Sequence, residues 1–358
     1  MLFSQRQKLF SNIIPRLPNV NKTPKSLIID LGSGYIKCGP PKRPEPLVMP
    51  AALKSTENKS GNPIFHELDP GRSSWVFPFE DGLLPKDTTL VTQLCNLALE
   101  QFPELHQHRD NVELMLLVFP QSKPEQVTNM SQTLREALGC LHVDAAVQQV
   151  LTWVNWGRKT GLILDIGYTV THITPIYRGF LLEEHILSLI TGSFFVSAEI
   201  RKLLLHQAEA TTTELTSLYS QLANDGKAIN DIKQSLCQVH PVQLEKQFSA
   251  ISNFYYQGEQ LSLAALPWQA PEVLFHPTLL GVGDKGLTDG ITEVLQRVDT
   301  TVRAELASNI VLSGGGSMFK GLKSRLINDL NIQIPHLAVK VYDLEYPMYS
   351  SWLGAAKM

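Results

Sequence analysis

One short pattern occurs twice in the chain. Leu27-Ile28-Ile29-Asp30-Leu31-Gly32-Ser33-Gly34 and Leu162-Ile163-Leu164-Asp165-Ile166-Gly167-Tyr168 each read as a buried strand that ends on an aspartate and turns at a glycine. A second β-rich run follows each turn, Tyr35 to Gly39 in one copy and Thr169 to Tyr177 in the other. Glycine lets backbone N–H groups approach anionic oxygens, and the aspartate can hold a hydrated cation. A single such hairpin is weak, since carboxylates also cap turns well. Two copies predict a duplicated α/β fold with two phosphate-type loops facing one ligand.

Composition narrows the function classes. The 358 residues suffice for two core-forming lobes. With 43% hydrophobic and 18% charged residues the chain is globular rather than disordered. A net charge of −3 argues against direct nucleic-acid binding through phosphate contacts. Cys38, Cys95, Cys140 and Cys237 are scattered without metal or disulfide spacing, as expected of reduced cytosolic or nuclear thiols. No apolar run reaches bilayer length, so membrane insertion is not expected. Residues 1–25 hold Arg6, Lys8, Arg16, Lys22 and Lys25 and no acid. They read as a basic tail, a partner-docking helix or a mitochondrial presequence, but lack the continuous apolar run of a secretory signal.

Strand and helix patterns alternate around both hairpins. The proline-dense run from Pro40 to Pro50 breaks helix and predicts an extended crossing strand. Residues 54–74 read as a loop-rich excursion. Helices are predicted over 88–102, 124–138 and 145–154, with a buried strand over 112–119. In the second half, helices are predicted over 198–207, 213–223, 228–239, 287–298, 301–306 and 322–330. Residues 243–263 read as loops and small strands. A strand over 309–313 runs into Gly314-Gly315-Gly316, and a helix follows. Strand, Gly-rich turn and helix N-terminus form a place where a nucleotide can lie on bare backbone.

Together these segments resemble the actin superfamily. Asp30 to Gly39 is similar to its first phosphate loop. Asp165 to His172 with Pro175-Ile176-Tyr177-Arg178-Gly179 is similar to the second, and Leu312 to Gly321 to the adenosine loop. Further agreement lies in Val147-Gln148-Gln149-Val150-Leu151, Asp231 to Cys237, Ala270 to Gly281 and Ser351-Trp352-Leu353-Gly354, all in the family's order. The resemblance implies an actin-like ATPase fold, α/β in class, with two related lobes around a nucleotide cleft. It places a basic tail at 1–25 and a small lobe at 26–155, whose shortened outer part is 51–77. The large lobe is 156–349 with its outer part at 192–268, and residues 350–358 return to the small lobe.

The same resemblance implies ATP or ADP with Mg²⁺ as cofactor. Ser33, Gly34 and Lys37 would meet phosphate, with Gly167, Thr169 and Gly192 from the second loop. Lys233, Gln234, Gly314, Gly315, Gly316, Met318 and Phe319 would frame base and ribose. Asp30 and Asp165 would hold the cation through water, and Gln148 and His172 are the catalytic candidates. Tyr168 departs from the pattern, standing where the family carries another aspartate. Gln234 replaces a glutamate and Met348 a lysine. Hydrolysis is mostly positioning and charge stabilisation, so nucleotide binding with weak or absent turnover is expected.

Two length differences bear on the subclass. The excursion between Pro50 and Gly82 is shorter than actin's and lacks room for the loop that grips the next filament subunit. The sequence also ends soon after Gly354, without the family's last helices. A chain of this kind could terminate a filament without continuing it. The expected role is a subunit capping the pointed end of dynactin's actin-like filament in dynein-based transport. Its partners would be actin-like filament subunits and pointed-end complex proteins within a hetero-oligomer, in the cytoplasm and cytoskeleton. A nuclear subunit of a chromatin-remodelling complex, a germline cytoskeletal actin-like protein and a self-assembling ATPase are the alternatives.

Overall fold

The computed structural model describes residues 25–54, 75–79, 81–211, 215–244, 248–283 and 285–358. The basic segment before residue 25 and nearly all of the 54–74 excursion lie outside them. The chain divides into two compact units, one built on residues up to 54, 77–158 and 349–358, the other on 55–76 and 159–348.

In the first unit β1 (Lys25–Leu31) forms an antiparallel hairpin with β2 (Tyr35–Gly39), which pairs with β3 (Leu47–Pro50). On its other side β1 runs parallel to β4 (Val112–Val118), and β4 to β5 (His142–Val147), giving the order β3-β2-β1-β4-β5. Leu27, Ile28, Ile29 and Leu31 of β1 are all buried, the near-continuous apolar run of a strand covered on both faces. Helices α1 (Thr89–Glu100) and α2 (Pro124–Leu138) bury Leu94, Leu99, Met130 and Leu134 in that core. Pro124 opens α2 and Gly139, at φ 68°, closes it, so both boundaries agree with the sequence pattern.

Two expectations in this unit need correction. Residues 145–154 are not one helix. The chain stays extended to Val147, held by pairing from Glu113↔His142 to Val118↔Val147, and only then enters α3 (Gln148–Trp156). Sheet pairing overrides the local pattern there. The extended crossing begins only at Leu47, because Pro40 to Glu45 turn, with Arg43 N–H donating to the Pro40 carbonyl at 3.1 Å.

The second unit repeats the sheet. β6 (Gly161–Ile166) forms a hairpin with β7 (Thr171–Tyr177), which also pairs with β8 (Phe180–Leu181) and β9 (Leu187–Leu189). A separate hairpin joins β10 (Asn253–Tyr256) to β11 (Glu259–Ser262). β12 (Ile310–Ser313) lies parallel to β6, and β13 (Val341–Asp343) parallel to β12. In both units an antiparallel hairpin is extended by two parallel strands from its first strand, so the duplication read from the motifs is present in the topology.

Helices of this unit are α4 (Ser193–Ala210), α5 (Leu215–Asn224), α6 (Gly226–Ser235), α7 (Leu287–Arg297), α8 (Thr300–Ala307) and α9 (Leu322–Gln333). α4 starts five residues before the expected Ala198, because Phe194 and Phe195 bury into the core. α6 begins at a capping aspartate, Asp225, which accepts from Lys227 N and Ala228 N at 3.0 Å each. It stops at Ser235 instead of Val239, since Gln238 and Val239 give their N–H groups to the Pro267 and Lys320 carbonyls.

All four cysteines are free and buried. Burial pushes the thiols of Cys38, Cys95 and Cys237 up to about 12, and raises that of Cys140. Behind the second sheet, Arg325 is 1% exposed and holds Glu272 bidentately at 2.7 and 3.1 Å, with Asp329 at 2.7 Å. Its guanidinium carbon lies 4.4 Å from the Phe275 ring centre. Glu272→Ala leaves a buried cation short of its main counter-charge. It is expected to cost about 3–5 kcal/mol, read as a lowered urea midpoint, and Arg325→Met is expected to cost a similar amount because it leaves the buried Glu272 carboxylate without its cation.

Candidate functional site

In the first unit the expected residues converge on one carboxylate. Asp30 ends β1 and is 1% exposed. Its Oδ2 accepts from Lys37 Nζ at 3.0 Å, because the hairpin register places Asp30 directly opposite Lys37. Its Oδ1 accepts from Gln148 Nε2 at 2.8 Å, and the same amide lies 2.7 Å from the Leu31 carbonyl. Ser351, on α10 (Ser350–Ala356), donates a third hydrogen bond, to Oδ2 at 2.9 Å. Ser33 and Gly34 occupy the adjoining turn, both buried. Gly32 lets that turn close, since a Cβ there would fall 2.4 Å from the Tyr35 carbonyl oxygen.

In the second unit Asp165 ends β6, opposite His172 on β7 and beside Ser313 on β12. The turn that follows is closed by Gly167 N–H donating to the Val170 carbonyl at 3.0 Å. The start of α4 docks onto it, Ser193 N–H on the Gly167 carbonyl at 3.0 Å and Phe194 N–H on that of Tyr168 at 2.7 Å. Gly192 makes that approach possible, for a Cβ would sit 2.4 Å from the Tyr168 oxygen. Gly314, at φ 81°, would place a Cβ 2.4 Å from the Ile166 carbonyl oxygen and 2.5 Å from Asp165 Oδ1. Asp165 thus faces bare backbone. A Cβ on Gly316 would meet Ile166 at 2.5 Å, whereas Gly315 has only Met348 nearby, at 3.8 Å. Gly315 and Met318 are exposed, Phe319 half-buried.

Tyr168 packs edge-on against Phe194, with ring centres 5.7 Å apart, and Lys233 Nζ stands 5.6 Å from its own ring centre. Lys233 donates to Ser197 Oγ at 2.9 Å, and burial pulls its ammonium down to about 8. Tyr168 therefore presents an aromatic face that a cation can use. Gln234 follows Lys233 on α6 but lies on the exposed side. Thr169 is fully buried in the turn. His172 is 5% exposed, bonded through Nδ1 to Ser188 Oγ at 2.7 Å, and burial pushes it down to about 4, so it is a neutral imidazole near pH 7.

These features suit a nucleotide with a hard cation. Bare glycine backbone and lysine ammonium groups can receive phosphate oxygens, while the carboxylates at the strand ends can hold a hydrated cation. Among the described residues no group of three or more His, Cys, Asp or Glu side chains could hold a metal ion on its own. Mg²⁺ needs no such cage, since it usually takes one or two carboxylates, substrate phosphates and water. Ser351, Ser197 and Ser188 were missed by sequence reasoning. Only Ser351 had a signal, its place in the Ser351-Trp352-Leu353-Gly354 motif.

The actin family model matches residues 21–358. The chain belongs to the actin family. It is similar to actin-related protein 2 of Schizosaccharomyces pombe, 25% identical over 362 residues that cover 92% of this chain and 90% of that protein. It is also similar to actin-related protein 2 of Acanthamoeba castellanii, 26% identical over 326 residues covering 86% and 81%. The fold is accordingly the mixed α/β, two-lobe fold of the actin family.

Burial of His172 sets a pH dependence. Its pKa is lower folded, about 4, than the ordinary 6.5, so the unfolded chain binds more protons between these values. The stability it contributes is intact above pH 6.5 and is lost as pH falls toward 4. His172→Asn is expected to flatten that part of the urea-midpoint profile, measured from pH 7 to 4. An unchanged slope would show that the histidine is not buried neutral.

Proposed function

We propose that this actin-family chain is a structural subunit that binds ATP or ADP with Mg²⁺ and turns it over slowly. Members of the family generally bind these nucleotides. Ser33, Gly34, Gly167, Thr169 and Gly192 would line the phosphates, with Lys37 neutralising them as a point charge. Asp30 and Asp165 would hold the hydrated cation. Lys233, Gln234, Gly314 to Gly316, Met318 and Phe319 would flank base and ribose. Bound Mg²⁺ would neutralise phosphate charge. Gln148 and neutral His172 are the groups able to orient a water. The observation that carries the slow-turnover reading is Tyr168, whose ring lies against Phe194 and near Lys233 where the family pattern has a carboxylate.

Its assembly role follows from what the chain lacks. Actin-related proteins generally assemble with actin-like subunits in complexes. The short stretch between Pro50 and Gly82 leaves little room for a loop gripping a further subunit. A capping role results, in the manner of actin-related protein 10 at the pointed end of dynactin, in the cytoplasm and cytoskeleton. The Gly167-Tyr168 pair supports the same subclass. Similarity to actin-related protein 2 across most of the chain favours a second reading, a subunit of another actin-related assembly.

Purified chain, denatured and chromatographed, is expected to release ATP or ADP. No nucleotide retained at millimolar ATP with Mg²⁺ would sink the nucleotide reading. Restoring the carboxylate with Tyr168→Asp is expected to raise Mg²⁺ affinity or hydrolysis about 10–100-fold, the usual scale for groups around a metal. Affinity purification is expected to recover dynactin subunits, and recovery of remodeller or other actin-related subunits would replace the capping role. Free polymerisation on sedimentation with ATP would defeat it.

A further inference from the structure

Asp30 accepts three hydrogen bonds from protein, from Gln148 on Oδ1 and from Lys37 and Ser351 on Oδ2. An ionised carboxylate offers about four lone-pair directions, so about one is left for water around a cation. The donors thereby choose the direction in which that lone pair faces. Lys37 comes from the neighbouring strand. The other two donors come from helices, Gln148 as the first residue of α3 and Ser351 from α10.

Those two helices are locked together. Thr152 and Ser350 share a buried hydroxyl–hydroxyl bond at 3.1 Å. Gly354 sits so close to α3 that a Cβ would lie 1.9 Å from the Leu151 carbonyl oxygen. Lys357 Nζ donates to the Asn155 side-chain oxygen at 2.6 Å and to its carbonyl at 3.2 Å. Trp352, fully buried, packs with Ile28, Leu117 and Leu151, tying the pair to β1 and β4. One donor to each oxygen of the carboxylate, two of the three in all, is therefore carried by one interlocked helix pair.

We propose that Ser351 is a positioning residue for Asp30, and that α3 and α10 act as one clamp setting how Asp30 faces a hydrated divalent cation. The inference rests on the nucleotide reading above. It makes the seating of α10 a determinant of cation affinity, so a partner that shifts α10 would change how firmly the nucleotide is held.

The test uses full-length protein loaded with ATP. Nucleotide release is measured against free Mg²⁺, alongside amide hydrogen exchange in β1 and α3. Ser351→Ala is expected to raise the half-saturating Mg²⁺ about 10-fold, within the range for such supporting groups. It should also speed exchange at the end of β1. Ser351→Thr keeps the hydroxyl and is expected to restore Mg²⁺ dependence. Lys357→Ala, at the exposed end of the helix pair, is expected to weaken Mg²⁺ in the same direction by less. Wild-type Mg²⁺ dependence in Ser351→Ala overturns the proposal, as does equal weakening in the Ala and Thr variants, which would point to packing alone. Should Ser351→Ala fail to fold, Lys357→Ala decides, and an unchanged Mg²⁺ dependence there overturns the clamp. A wild-type chain that retains no nucleotide overturns the nucleotide reading and this inference together, whereas a binding wild type with unaltered variants overturns the inference alone.

Discussion

A carboxylate fully withdrawn from water costs several kcal/mol unless its charge and lone pairs are served. Asp30 is such a group, and the first unit is arranged to serve it. The β1–β2 register brings Lys37 opposite, the β5–α3 junction delivers Gln148, and α10 delivers Ser351. Each donor fixes an element that local sequence alone would leave free to shift. A one-residue slip of the hairpin would turn Lys37 to the other face of the sheet and leave the charge without its cation.

The second unit shapes its turn by steric means. Its turn carries no lysine opposite Asp165. It is held instead by backbone in close contact, α4 against Gly167 and Tyr168, and Gly314 against Ile166. Glycines at 192 and 314 are needed there, since any side chain would collide with a carbonyl. The two related hairpins have thus diverged: both turns close through tight backbone contact, but Lys37 stands opposite the aspartate in the first and His172 in the second. Divergence of this kind explains how Tyr168 can occupy the second turn: the turn's geometry does not depend on a side-chain carboxylate at that position.

Much of the fold was legible because its strongest signals are local. Strand, aspartate and glycine sit within a few residues of one another, and Pro124 with Gly139 brackets α2. Errors came where tertiary pairing overrode a short apolar run, as at Ala145 to Val147, whose length suits helix or strand equally. In the site, Asp30, Lys37 and Gln148 could be proposed from their motifs, and the structure joins them. Ser351 could not be assigned to Asp30, because 321 positions separate the two and a hydroxyl in an apolar helix has many other uses. The approach of Lys233 to the Tyr168 ring was equally hidden, since cation–aromatic pairing leaves no spacing rule in the chain.

The four buried thiols have a consequence for watching this molecule breathe. Thiolate is the reactive form, and burial holds Cys38, Cys95 and Cys237 near 12, so neutral alkylating reagents meet almost none of it while the cores stay closed. Cys38, Cys95 and Cys140 belong to one unit and Cys237 to the other. Labelling therefore proceeds only as fast as each core opens, and the modified positions name which core it was. The protein carries its own pair of clocks for local unfolding, one in each lobe.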